Sequence, residues 1–203
     1  MADRKPTRIQ TENRKVILKA ALEVFARDGF RGATVDAIAA VAGMSKPNLL
    51  YYYPSKDDIY RAVLERLLDT WLAPLRMLDA GGDPAREIAR YIDRKIELAR
   101  GFPNESRLFA NEMLRGAPIL HEVLTGDLKP LVDEKVRVIR GWIRAGKLAE
   151  IDPYHLIFAI WATTQHYADF DVQFRALVGD GEDRFENAAN TLKQLFLSGL
   201  RPR

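Results

Sequence analysis

Between residues 34 and 56 the chain reads TVDAIAAVAGMSKPNLLYYYPSK. Thr34 and Ser45 are residue types that cap the N-termini of helices, because their hydroxyl oxygens accept hydrogen bonds from free backbone N–H groups. Gly43 and Pro54 are types at which helices end. The stretch therefore predicts two short helices joined by a turn that contains glycine, which is the arrangement of a helix-turn-helix.

A longer helix is predicted just before this stretch, over residues 12–27, with an apolar stripe on one side and with Gly29 ending it. A three-helix unit of this kind places the N-terminal part of its third helix in the major groove of DNA. Three kinds of side chain are predicted to contact DNA: those that cap the two short helices, those that project outward from the third helix, and those that flank the end of the third helix. They are Thr34, Ser45, Lys46, Asn48, Tyr51, Tyr52 and Lys56.

Within this set the residue types suit two different roles. Asn pairs bidentately with adenine and Lys donates to guanine, so Asn48 and Lys46 are predicted to face base edges. Tyr52 and Lys56, at the end of the third helix, suit contacts with phosphates, which position a protein on DNA without reading sequence. Leu49 and Tyr53 are predicted to face the interior.

The distribution of charge agrees with a DNA-binding head. Residues 1–56 contain ten Lys or Arg and five Asp or Glu, a net charge of +5, and since the whole chain carries +3 the remainder carries −2. The chain contains no cysteine, which excludes disulfides and thiolate metal sites. The polar N-terminus and the short apolar runs predict a cytoplasmic protein without a membrane partner.

Beyond residue 54 nearly every segment repeats its apolar residues at the helical period, and no stretch alternates as a strand does. The sequence predicts an all-α protein of about nine helices, with a three-helix DNA-binding domain at residues 1–54. A helical effector-binding and dimerisation domain is predicted at residues 55–203. Pro74 is expected to bend or end the long helix that Ser55 caps, and a helix opened by Pro153 is expected to run to about residue 174, before a loop at 179–183.

Several spaced positions of the head form a recognisable pattern, AxxVFxxxGFxGxTVxxIAxxAGxSKxxLLYYxPSKxxxY, between about residues 14 and 60. This pattern closely resembles the TetR family of bacterial repressors. The body segments SRLFANEML, LTGDLKPLVDEK and GWIRAGKLAEIDPYHLIFAIWATTQHYADF resemble a subgroup of that family that regulates pyrimidine utilisation. Two positions depart from the subgroup, because Pro47 replaces its Thr and Tyr53 its Phe.

The resemblance implies a homodimer that binds double-stranded operator DNA and leaves it when uracil or thymine binds. Residues of the body support a small polar ring as the effector. Trp161 and Gln165 share one face of the helix that begins at Pro153, and the amide of Gln165 has the donor and the acceptor that such a ring requires. With Trp71, which could help to hold the ring, and Lys95, which falls on an inward-facing stripe, the predicted effector site is Trp71, Lys95, Trp161 and Gln165.

Other interpretations of these residues remain open. The two tryptophans would equally suit an ordinary core, and a lysine at position 95 often extends its ammonium to the surface. The residues predicted to form a second, mainly apolar, intersubunit face on the last helices could also pack within one chain. They are Ile160, Thr163 or Thr164, Tyr167, Phe170 or Asp171, Phe174, Phe185, Ala189, Leu192 and Phe196.

Two other classes of function compete with a ligand-responsive regulator. An enzyme would have to draw on Glu112, His166 and Asp169, and with three histidines in the chain there is little else to build on. We therefore predict no catalytic residues, no metal site and no cofactor. A constitutive DNA-binding protein without an effector would not need a body of this length.

Overall fold

The computed structural model describes residues 7–179, 181 and 184–202. In that part of the chain it contains ten α-helices of seven residues or more and no strand, so the all-α prediction is confirmed. The helices are α1 (Arg8–Gly32), α2 (Val35–Val41), α3 (Lys46–Tyr52), α4 (Lys56–Arg76), α5 (Pro84–Gly101), α6 (Pro103–Leu114), α7 (Lys129–Arg144), α8 (Pro153–Asp169), α9 (Asp171–Val178) and α10 (Arg184–Gly199). A helical turn at His121–Val123 and a wider π-helical turn at Leu124–Leu128 lead into α7.

The first helix is longer than predicted at both ends. It begins at Arg8 because Thr7 and Gln10 form a capping box, in which each side chain bonds the main chain of the other. The helical path is interrupted at Gly29, as the sequence predicts, where φ is 67° and ψ is 172°. One further turn then continues to Gly32.

The fourth helix passes through Pro74 instead of ending there. Pro74 lies in the last turn, where only one hydrogen bond of the helix depends on the missing N–H. The guanidinium of Arg76 donates to the carbonyl oxygen of Asp69, at 3.3 Å, and to its carboxylate, at 2.8 Å. These two bonds hold the final turn against the preceding one.

The predicted helix from Pro153 to about residue 174 is divided into α8 and α9 by Phe170, whose φ of −112° and ψ of 31° are not helical. Asp171, which starts α9, is buried and accepts from Arg175 at 2.8 Å. This division brings the number of helices to ten instead of nine. Of the predicted loop at 179–183, residues 180, 182 and 183 lie outside the described residues.

The apolar side chains form two cores. The first joins α1, α2 and α3 to the N-terminal part of α4 and to Leu108 of α6, and it ends at Trp71. The second joins α5, α7, α8 and α10. The first core therefore extends well past residue 54, where the sequence places a domain boundary, and Trp71 and Lys95 lie where the two cores approach each other.

Some residues of the predicted intersubunit face pack within the single chain instead. Ile160, Phe185, Ala189 and Leu192 are all buried in the second core. Packing within one chain thus explains their apolar pattern, which is the alternative that the sequence left open. Across the described residues, every helix is too short or too polar to span a lipid bilayer.

Candidate functional site

The two short helices of the head begin at capped, exposed N-termini. The hydroxyl of Thr34 accepts from the backbone N–H of Ala37 at 3.1 Å, and that of Ser45 accepts from the N–H of Asn48 at 3.4 Å. Both capping residues have extended backbone, as N-caps do. The turn between the helices passes through Gly43, whose φ of 66° favours glycine. The local geometry is that of a helix-turn-helix.

The third helix has one buried side and one exposed side. Leu49 and Tyr53 are buried, whereas Lys46 and Asn48 are exposed and 71% of Tyr51 is accessible. Pro47 is the second residue of the helix, where a missing N–H leaves no helical bond unmade. The side chains predicted to face base edges thus project from the exposed side. Lys46 forms an ion pair with Asp36 at 2.8 Å, and both side chains are exposed, so the pair holds Lys46 only weakly.

Tyrosines at the end of α3 attach it to α1. Asn13 donates to the hydroxyl of the half-buried Tyr52 at 2.7 Å, and Gln10 donates to the hydroxyl of Tyr51 at 3.4 Å. The guanidinium of Arg14 lies 5.0 Å from the centre of the Tyr53 ring. These contacts fix the angle at which α3 projects from the head.

Lys56 is half-buried, and its ammonium is directed at the head's own main chain. Its ammonium donates to the carbonyl oxygens of Phe30, at 2.8 Å, and Ala33, at 3.0 Å, and lies 4.5 Å from the centre of the Phe30 ring. Carbonyls at the C-terminal end of a helix lack helical partners and attract cations. Lys56 therefore ties the start of α4 to the end of α1, and a phosphate could engage it only in competition with these bonds.

In the body, Trp71 on α4 and Lys95 on α5 are in contact. Only 6% of Trp71 and 2% of Lys95 are accessible, and the Lys95 ammonium lies 4.3 Å from the centre of the Trp71 ring. Burial lowers the pKa of Lys95 from its usual value near 10.5 to about 7, against an opposing effect of the negative charge of Asp169. The indole N–H of Trp71 is buried without a hydrogen-bond acceptor in the described part of the chain.

On α8, Trp161 and Gln165 are both half-buried. The indole N–H of Trp161 donates to the hydroxyl of Tyr91 on α5, at 2.5 Å. The amide of Gln165 forms no hydrogen bond within the described residues, so its donor and acceptor are free for a ligand. A ring sandwiched between Trp71 and Trp161 stays a prediction.

Sequence reasoning assigned no role to two further residues near Lys95. Ser106 on α6 donates a short hydrogen bond to Asp169 on α8, and burial raises the pKa of that carboxyl above its ordinary value. Tyr91 holds Trp161 as described. The position of Asp169, four residues after Gln165, does place both on one face of α8. Nothing local in the sequence connects Ser106 with α8, because the two helices meet only in the folded chain.

Glu112, one of the residues considered for an enzyme, is engaged in structural hydrogen bonds. One carboxylate oxygen of the buried Glu112 accepts from the hydroxyl of Tyr60 at 3.3 Å, and the other accepts from the N–H of Ile119 at 2.8 Å. Among the described residues, no three His, Asp or Glu side chains are grouped so that they could hold a metal ion.

A cleft of about 550 Å³ runs between α1 and α4 and reaches the body at Trp71. We call it the α1–α4 cleft; its apolar lining includes Leu18, Leu22, Val63, Leu67 and Phe102. Lys15, Lys19 and Arg66 also line the cleft, with Glu12 and Glu105 as the acidic residues among them. It connects the head to the surroundings of the buried Trp71 indole.

Comparison with known proteins matches the chain to two families. Residues 17–63 match the family of bacterial regulatory proteins of the tetR type, and residues 64–203 match the C-terminal region of YcdC-like proteins. The HTH-type transcriptional regulator RutR of Escherichia coli K12 is 49% identical over 202 residues, which cover 98% of this chain and 95% of that protein.

Solved structures share the fold at lower identity. KstR2 of Mycobacterium tuberculosis, a ketosteroid transcriptional regulator, superposes with a TM-score of 0.72 at 21% identity, over 94% of this chain and 95% of the other. A TetR-like transcriptional regulator from Rhodococcus sp. RHA1 gives 0.69 at 23% identity, over 97% and 98%. With the exposed recognition helix and the near full-length similarity to RutR, these findings place the chain among regulators and not among enzymes: it belongs to the TetR family of bacterial transcriptional regulators and is a RutR-like member of it.

Proposed function

We propose that the protein is a repressor of pyrimidine-utilisation genes that binds a palindromic operator as a homodimer and is released by uracil or thymine. The observation that carries the effector part is the buried indole N–H of Trp71, which has no acceptor and belongs to a ring in contact with the buried ammonium of Lys95. Neither the Lys95 ammonium nor the amide of the half-buried Gln165 forms a hydrogen bond within the described residues. Buried polar groups of this kind are normally satisfied, so an occupant with carbonyl oxygens fits the site.

A pyrimidine base suits this chemistry well. Uracil and thymine are flat and carry two carbonyl oxygens and two ring N–H groups, which complement two donors and one amide. Trp71 and Trp161 provide aromatic surface beside those polar groups, as is usual in sites for small molecules. The 49% identity to a RutR regulator supports the same class of target genes.

The operator part rests on the exposed face of α3. Lys46, Asn48 and Tyr51 project from a helix whose capped N-terminus is exposed, and residues 1–56 carry a net charge of +5 whereas the rest of the chain carries −2. Thr34 and Ser45 present helix N-termini suited to phosphates. A regulator of this kind would act on chromosomal DNA in the cytoplasm.

The homodimer rests on unburied apolar side chains near the C-terminus. While one side of α8 and of α10 packs in the second core, large apolar side chains of α8, α9, α10 and the residue before α9 stay exposed, namely Phe158, Phe170, Val172, Leu177, Val178 and Leu195. Clusters of this kind on a soluble chain commonly mark interaction surfaces. Two heads held together by this surface would meet two half-sites of a palindrome.

The test of the effector is the variant Gln165→Leu. It keeps the size of the side chain and removes both amide functions, so a buried uracil edge loses its partners. An unsatisfied buried polar group costs about 1–3 kcal/mol, so uracil affinity should fall about ten- to hundred-fold in calorimetric titration. Binding to an operator selected from random duplexes should be unchanged without uracil, and uracil should no longer release the variant.

Unchanged uracil affinity in the folded variant would remove Gln165 from the site. If uracil and thymine neither bind the native protein nor raise its melting temperature, the repressor senses a different small molecule, or it binds DNA constitutively without an effector. Cytosine, which has an amino group in place of one carbonyl, is the matched control ligand.

A further inference from the structure

Lys95 is an unusual lysine because its charge is buried and poorly compensated. Only 2% of the residue is accessible, and within the described residues its ammonium forms neither a hydrogen bond nor an ion pair. Burying an isolated charge costs several kcal/mol unless a partner offsets it or the group becomes neutral. The chain accepts this cost beside the Trp71 indole, whose buried N–H has no acceptor.

The groups that face Lys95 come from four helices. From α4, the Trp71 ring lies 4.3 Å from the ammonium and attracts it as an aromatic face attracts a cation. From α8, Asp169 contributes the opposite charge, but its carboxylate is already engaged by Ser106 of α6. On α5 itself, the hydroxyl of Tyr91 is occupied by Trp161.

More distant charges act on Asp169 and not directly on Lys95. Arg107 of α6 and His166 of α8 both stabilise the Asp169 carboxylate. On α10, which also packs against α5, Lys193 is paired with Asp93 at 2.8 Å. The desolvation of the Lys95 ammonium is therefore offset by the face of the Trp71 ring and by the Asp169 carboxylate, which Ser106 also engages.

As a consequence, the pKa of Lys95 falls to about 7, so in the free protein the amine and the ammonium are both well populated near neutral pH. The protonation of such a group changes when a charged or polar group is placed beside it. A carbonyl oxygen of an effector placed against it would accept a hydrogen bond from either form but would be attracted far more by the ammonium.

We propose that the effector complex carries Lys95 as an ammonium ion, so that each protomer takes up a proton from solution when the effector binds. The inference rests on the proposed function, because it assumes a carbonyl-bearing effector in this site. The balance is simple: the neutral amine, one proton and the effector give the ammonium–effector complex, and the proton comes from the buffer.

The sign of the pH dependence follows from this linkage. Below about pH 7 free Lys95 is already protonated, so binding takes up little and the affinity is flat. Above that pH the protein must acquire the proton on binding, and the dissociation constant should rise up to about tenfold per pH unit until the pKa of the complex is reached. Effector affinity is linked to operator affinity, so a given effector concentration should release the operator more readily at mildly acidic pH.

The experiment is calorimetric titration of the full-length protein with uracil at about pH 6 and about pH 8, at each pH in two buffers of different ionisation enthalpy: phosphate and bis-Tris at the lower pH, phosphate and Tris at the higher. Uracil does not titrate in this range, so a difference in enthalpy between the buffers reports protons taken up by the protein. We expect close to one proton per protomer at the higher pH and close to none at the lower. Because this measurement uses the native protein, it does not depend on the folding of any variant.

Two variants and a control identify the side chain that takes up the proton. Lys95→Met should abolish the uptake and remove the pH dependence of the remaining affinity. Asp169→Asn removes the negative charge that supports the ammonium, so the pH at which affinity starts to fall should move lower. Lys129→Met changes an exposed lysine of α7 and should behave as the native protein.

The outcomes separate the two proposals. Uracil binding with equal enthalpies in both buffers at the higher pH overturns the proton uptake and leaves the proposed function standing. Uptake that survives in Lys95→Met assigns the proton to another group and also overturns it. Absence of uracil binding overturns the proposed effector, and this inference with it.

Discussion

Lys56 shows how a single residue can suit two roles that sequence cannot separate. In the pattern YYYPSK it follows the recognition helix, where a lysine is expected to meet phosphates. In the folded chain its ammonium instead bonds the carbonyls of Phe30 and Ala33 and lies against the Phe30 ring. The spacing of 26 residues between Lys56 and Phe30 carries no local signal, so only the tertiary structure connects them.

Replacing Lys56 by Met should lower the stability of the protein. The two carbonyls lose a charged donor, and the ring loses a cation, for a combined cost of about 1–2 kcal/mol in this half-buried position. The free energy of unfolding, measured with urea, checks this. Lys46→Met is the matched control, since that exposed lysine should affect DNA binding and leave stability unchanged within about 0.5 kcal/mol.

Equal stability of Lys56→Met and the native protein, together with a flatter dependence of DNA binding on salt, would favour the phosphate role instead. A phosphate contact contributes about one unit to that slope, which makes the two roles distinguishable in the same protein preparation.

Lys95 has a consequence for stability as well as for binding. The pKa of its ammonium is about 7 in the folded protein and near 10.5 when exposed, so the folded state holds the proton less tightly. The penalty is therefore fully present below about pH 7 and is relieved as pH rises, by up to about 1.4 kcal/mol per unit.

Lys95→Met should accordingly stabilise the effector-free protein, and more at about pH 6 than at about pH 8. Urea unfolding at the two pH values measures both differences. A loss of stability that is the same at both pH values would mean that the lysine stem, and not the charge, governs packing at this site.

At the scale of the helices, local signals predicted the residues at which helices begin better than the residues at which they end. The caps at Thr34 and Ser45, the position of Pro47 in the first turn of α3 and the interruption at Gly29 all follow from residue type alone. The break at Phe170 does not, because neither glycine nor proline marks it.

At Phe170 the local signal is replaced by the interactions of the next residue. Asp171 pairs with Arg175 in the next turn and, at 3.4 Å, with Arg184 at the start of α10. Arg184 lies beyond the rest of α9 and a loop, so the sequence pattern could not predict that contact. The same limit applies to the candidate effector site. Trp161 and Gln165 share a face of one helix that is visible in the sequence, but Ser106 and Tyr91 contact that helix, at Asp169 and Trp161, from two other helices.

Two glycines in helices should respond in opposite ways to alanine. Gly29 has a backbone conformation that is almost restricted to glycine, so Gly29→Ala should destabilise the protein by about 1–3 kcal/mol. Gly141 lies inside α7, and a Cβ added there meets no atom within 4 Å, so Gly141→Ala should stabilise by about 0.5–1 kcal/mol. Thermal or urea unfolding compares them directly, and equal effects would show that the turn at Gly29 relaxes without cost.

At the scale of the whole molecule, the exposed apolar surface of the last helices predicts self-association. Leu195 on α10 is 63% accessible in the single chain, and Leu195→Glu should place a charge in the proposed dimer interface. We expect a shift from dimer to monomer in sedimentation analysis and weaker binding to a palindromic duplex, because a lone head meets a single half-site.

The control is Leu114→Glu, which introduces the same change at the end of α6, where 86% of the leucine is accessible. It should leave the dimer intact. If Leu195→Glu remains dimeric at low micromolar concentration, the contact between subunits lies elsewhere.

The apolar core shared by the head and the body restricts how this regulator can be recombined with others. Val63 and Leu67 of α4 and Leu108 of α6 pack with residues of α1 and α2 in one continuous core. A chimera that joins a foreign head at residue 54 would set unrelated side chains against these three, leaving gaps or clashes at the junction. An exchange of operator specificity therefore has to transplant the facing surfaces of α4 and α6 together with the head, or be confined to the exposed side of α3.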